Sequence, residues 1–141
     1  MLARQFTFGK NERLKSRKQI EQLFAEGQTF TVFPYRMYYT LNRKAFKSQN
    51  RKNNLQFGIG ISGKNFKKSV DRNRIKRLTK EAWRLQKLSL QQKLKEKDVQ
   101  LNVFFIYSSR ELAEYKYLYE KVHVILSKLI KLIDENNSPA S

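Results

Sequence analysis

The chain has 141 residues, with 30 Lys and Arg against 12 Asp and Glu, for a formal net charge of +18. Forty per cent hydrophobic residues, with ten Phe and seven Tyr, are too many for a disordered basic tail and suit one domain with a real core. The lack of cysteine excludes disulfides and thiolate metal sites, and the sequence has neither a secretory signal nor a span of about 20 apolar residues, so a cytoplasmic protein without membrane contact is expected.

A first helix is predicted over 17–26: Ser16 and Gln19 form a capping pair, Gly27 suits a left-handed end, and Ile20, Leu23 and Phe24 share a face. Aromatic and β-branched residues predict strands over 29–33 and 35–41, separated by Pro34. Residues 42–54 are polar and lysine-rich, as in a mobile loop. Over 55–62, Phe57, Ile59 and Ile61 alternate with Gly58, Gly60 and Ser62, which gives a strand with one nearly bare face. A basic helix is predicted over 69–87, with room to extend to Leu94, followed by a charged turn at 95–98. The apolar run 99–107 reads as a central strand, and 112–133 as a last helix. Residues 1–135 then form one domain and 136–141 a disordered tail. The expected class is α+β, in the order α-β-β-β-α-β-α, with a mixed four-stranded sheet and packed helices.

The segment 64–87 is the most informative. Lys64, Lys67, Lys68, Arg72, Arg74, Lys76, Arg77, Lys80, Arg84 and Lys87 are opposed only by Asp71 and Glu81. Ile75, Leu78, Ala82 and Leu85 give an apolar stripe. Arg72, Lys76, Lys80, Arg84 and Lys87 form a ridge, widened by Arg74 and Arg77. Such a ridge repels itself unless a polyanion neutralises it, and a nucleic-acid backbone is the natural one. A helix-turn-helix reading is disfavoured, because a glycine-bearing strand and loop precede the basic helix.

Other motifs carry less. Gly58-Ile59-Gly60-Ile61-Ser62-Gly63 spells a dinucleotide fingerprint, but its glycines lie within a strand. His123 reads as a partly buried structural residue. The acids show no metal-binding pairing, so no catalytic residue and no metal ligand is assigned.

Arg72-Asn73-Arg74-Ile75-Lys76-Arg77-Leu78, with Lys64-Asn65-Phe66-Lys67-Lys68 before it and Glu81-Ala82-Trp83-Arg84 after it, resembles the signature of the bacterial ribonuclease P protein subunit. Phe8 with Glu12-Arg13-Leu14-Lys15, Phe24-Ala25-Glu26-Gly27 and Gly58-Ile59-Gly60-Ile61-Ser62 extend the likeness. The resemblance implies a ribosomal protein S5 domain 2-like fold. It also implies the role of protein subunit in an endoribonuclease whose RNA removes the 5′ leader of precursor tRNA, with Mg²⁺ held mainly by RNA, and no obligate protein partner. It places the catalytic RNA on Lys64, Lys67, Lys68, Arg72, Asn73, Arg74, Lys76, Arg77, Lys80 and Arg84. It places the leader in a groove at Ile20, Phe24 and Tyr39; strand parity adds Tyr35 and Met37 to the side of Tyr39, with space expected beside Gly58 and Gly60. Two departures stand out: Ile20 where an aromatic is frequent, and Gly63 where a lysine is. The alternative is a non-catalytic ribosomal or assembly-type RNA-binding protein.

Overall fold

The computed structural model describes residues 12–14, 16–43 and 54–136. Phe8, Lys15, residues 44–53 of the polar loop and residues 137–141 of the tail lie outside the described residues. Helix α1 spans Arg17–Glu26, and the Ser16 hydroxyl accepts from the Gln19 N–H at 3.3 Å, as the capping pattern predicts. Gly27 ends the helix in extended conformation (φ −75°), not the expected left-handed one. Glycine is needed there for closeness instead, because a Cβ would lie 2.6 Å from the Leu23 carbonyl oxygen and 2.9 Å from that of Tyr39.

Strands β1 (Gln28–Val32), β2 (Tyr35–Arg43), β3 (Leu55–Ile61) and β4 (Val99–Tyr107) form one sheet in the order β1-β2-β4-β3. β1–β2 and β2–β4 are antiparallel, while β3 runs parallel to β4, so the sheet is mixed as expected. The connection from β3 to β4 holds two helices, not one: α2 (Ser69–Gln86) and α3 (Leu88–Lys97). The predicted charged turn shrinks to Asp98, whose left-handed backbone (φ 57°, ψ 49°) stops α3. The last helix, α4, spans Tyr115–Asn136, starting and ending three residues later than predicted.

Strand alternation divides the interior into two layers. Tyr35, Met37, Tyr39, Phe57, Leu101, Val103, Phe105 and Tyr107 point to the side covered by α2, α3 and α4. Phe57 stacks on Trp83 of α2 at 4.3 Å and 10°, and Phe105 meets both rings edge-on. The buried face of α2 is Ile75, Thr79, Ala82 and Trp83; Leu85 is 39% exposed, off the predicted stripe. Trp83, stacked on Phe57, takes the place on the sheet-facing side that the predicted stripe gives to Leu85. Thr79 is tolerated inside because its hydroxyl pairs with that of Tyr35 at 2.7 Å. On the opposite side of the sheet, Leu14, Leu23 and Phe104 form a smaller cluster beneath α1, flanked by Ile20, Tyr38 and Ile106.

Candidate nucleic-acid interface

Anchoring α2 by Trp83 and Ile75 leaves its other side to solvent. Asn73, Lys76, Arg77, Lys80, Glu81 and Arg84 line a shallow concavity of about 340 Å³ there. Lys64, Lys67, Lys68, Asn73, Arg74, Arg77 and Lys80 are exposed, and Arg72, Lys76 and Arg84 are half-buried. The cations are not equivalent. Arg72 donates through Nη1 to the carbonyls of Phe66 (2.6 Å) and Lys67 (3.0 Å), so it fastens the loop before α2 onto the helix. Arg84 pairs with Glu81 at 2.6 Å, which holds that carboxyl below its usual range. Lys80 is shifted below the ordinary lysine value by burial first, then by the charges of Arg13 and Lys76. Crowded cations of this kind are relieved by a bound polyanion.

Arg13 arrives at this ridge from outside α2. The short segment 12–14 runs beside β3, where Arg13 bridges Phe57 and the Leu14 N–H donates to the Phe57 carbonyl at 2.9 Å. Sequence pattern alone assigns Arg13 no place at the ridge, because that bridge joins residues 44 positions apart.

A second surface lies on the other side of the sheet. Phe24, on α1, packs against Tyr38 (centroids 4.7 Å apart) and edge-on against Phe104 (5.5 Å), with Ile20 half-buried alongside. Phe24 remains 42% exposed, so much of its ring is free to stack on a partner. Gly58 and Gly60 shape the floor. A Cβ on Gly58 would sit 2.6 Å from the Phe104 ring, and one on Gly60 3.2 Å away. The bare strand face is therefore filled by Phe104 and does not stand open, contrary to the expected space.

A family model described as Ribonuclease P matches residues 8–130. The chain belongs to the ribonuclease P protein family. The ribonuclease P protein component of Porphyromonas gingivalis is 37% identical over 112 residues, 78% of each chain. That of Nitrosococcus oceani is 34% identical over 84 residues, 57% of this chain and 61% of its own. Among solved structures, the RNase P protein of Thermotoga maritima matches with a TM-score of 0.61 at 19% identity, covering 83% of this chain and 96% of the other. The Staphylococcus aureus protein matches with a TM-score of 0.60 at 17% identity, covering 82% and 93%. The single α+β domain with a mixed four-stranded sheet agrees with these folds.

Within this ribonuclease P protein, several expected placements need correction. Lys87 is not on the ridge: it is 1% exposed, at the break between α2 and α3, and ion-paired with Glu12. Tyr35 and Tyr39 do not line the α1 groove. They are 0% and 6% exposed on the opposite face, Tyr35 bonded to Thr79 and Tyr39 to Gln28. The groove tyrosine is Tyr38. The signal was present in the strand, since Tyr38 shares parity with Arg36 and Thr40 whereas Met37 marks the core side. His123 is exposed on α4, not partly buried. Among the described residues, no group of three or more His, Asp or Glu could hold a metal ion, and no helix is long and apolar enough to cross a membrane.

Proposed function

We propose that the chain is the protein subunit of a ribonuclease P holoenzyme that removes the 5′ leader from precursor tRNA. In this reading the α2 ridge docks on the catalytic RNA through Asn73, Arg74, Lys76, Arg77, Lys80 and Arg84, with Lys64, Lys67 and Lys68 extending it. Arg72 holds the loop that carries those lysines. The groove of Ile20, Phe24 and Tyr38 takes the single-stranded leader by stacking, which tolerates sequence because every base has a π-face. Phosphodiester cleavage is assigned to the RNA, with Mg²⁺ held mainly by RNA and substrate phosphates.

One observation carries the reading. The crowded cationic ridge and the exposed aromatic groove lie on opposite sides of one sheet, as needed to hold a structured RNA and a single strand together. The test is reconstitution. The protein with a cognate catalytic RNA should cleave precursor tRNA at low Mg²⁺ better than that RNA alone, and the protein by itself should not cleave. Robust cleavage by the RNA-free protein would sink this division of labour. Recovery of ribosomal RNA alone with the purified protein would favour an assembly role instead.

A further inference from the structure

Beyond the aromatic groove the same sheet face continues, and it carries one more chemical group. Register places Tyr38 opposite Phe104, and Phe104 opposite Gly58. Two residues along, Arg36 lies between Thr31 and Ile106, and Ile106 lies opposite Gly60. These two rows are roughly 6.8 Å apart along the strand, close to the step between successive phosphates of an extended nucleic-acid strand. Arg36 is exposed, and beyond the backbone ladder its guanidinium has no hydrogen bond or ion pair among the described residues. None of the described strand residues on this face is acidic; its neighbours are threonines, glycines, glutamines, an asparagine and apolar side chains. A guanidinium with no counter-charge suits an oxyanion, and one row from a platform that stacks bases the fitting oxyanion is a backbone phosphate.

We propose that Arg36 is a phosphate subsite for single-stranded RNA, gripping the backbone one step past the nucleotide stacked on Phe24 and Tyr38. This rests on the leader reading above. Arg36 adds affinity without reading sequence, and only for leaders long enough to reach its row.

The test uses the assembled holoenzyme and precursor tRNAs whose leaders are lengthened one nucleotide at a time. Arg36→Ala should weaken binding of long-leader precursors roughly three- to tenfold at about 50 mM salt, and lower the salt slope by about 0.7. The loss should set in once the leader is long enough to reach the Arg36 row and be absent for shorter leaders, and Arg36→Lys should restore the slope. A loss independent of leader length, or no change in slope, overturns the subsite. Phe24→Ala in the same assay separates the two levels. If it lowers leader preference while Arg36→Ala does nothing, only the subsite falls. If neither variant alters leader preference, the groove reading falls with it.

Discussion

Lys87 and Glu12 form an ion pair inside the protein, joining the junction of α2 and α3 to a segment 75 residues away in sequence. The lysine is 1% exposed, so its removal takes from the Glu12 carboxylate this counter-charge in a poorly solvated place. Lys87→Ala should cost about 3–5 kcal/mol of stability. Arg84→Ala, which breaks the more exposed pair with Glu81, should cost no more than about 1 kcal/mol. Urea unfolding of both variants measures the contrast, and equal losses would contradict the burial of Lys87.

RNA affinity should divide along a different line. Combined replacement of Arg74, Arg77 and Lys80 by Ala should flatten the salt dependence of binding to the catalytic RNA by about 2–3 and leave the melting temperature within a few degrees. Arg72 is left out of that set because its carbonyl bonds to Phe66 and Lys67 also hold the fold. Filter binding across a salt series, beside a thermal melt, separates the two effects.

The groove gives a parity test. Phe24→Ala and Tyr38→Ala should each reduce preference for leader-bearing over mature tRNA by about 1–3 kcal/mol per lost stacked base. Tyr39→Phe, on the other face, should leave that preference unchanged. A Tyr39 effect as large as that of Tyr38 would mean the strand faces are misassigned.

Glycines 58 and 63 should differ sharply. Gly58→Ala drives a methyl into the Phe104 ring and the Leu14 carbonyl, and should destabilise by about 1–3 kcal/mol. A Cβ at Gly63 would meet nothing within 4 Å, so Gly63→Lys should change stability by less than about 0.5 kcal/mol. Denaturant midpoints for the two variants decide this.

Burial pushes the Tyr35 hydroxyl well above the ordinary tyrosine range, with the Thr79 hydrogen bond offsetting only part of the rise; Tyr39 and Tyr107 shift the same way through burial. An unfolded tyrosine ionises near pH 10, while folded Tyr35 keeps its proton. The stability this contributes is therefore complete below about pH 10 and is lost as pH rises toward the folded value. Tyr35→Phe should lower stability at neutral pH, by orphaning Thr79, yet show a shallower alkaline decline. Unfolding curves between about pH 8 and 11 read both effects.

The element types and the ridge were legible from local pattern, because helical spacing from Asn73 to Arg84 and the apolar run to Tyr107 dominate their neighbourhoods. What escaped depended on contacts distant in sequence. Lys87 continues the basic spacing and nothing nearby shows Glu12 waiting for it. Thr79 reads as surface until Tyr35 is placed beneath it. Asp98, a residue that tolerates the left-handed conformation, hides a helix end inside a charged run. Tyr39 was a different failure, one of counting: in a strand a single step exchanges inside for outside, and Arg36 already marked which was which.

Adjacent residues Phe57 and Gly58 back opposite surfaces, the first supporting Trp83 under the ridge and the second making room for Phe104 under the groove. The two surfaces are thus gauged by a fixed stack, one pleated layer and the helix seated on it. If the proposed partners occupy both, the protein acts as a feeler of fixed width, setting how far a leader can stand from the ribozyme whatever bases it contains.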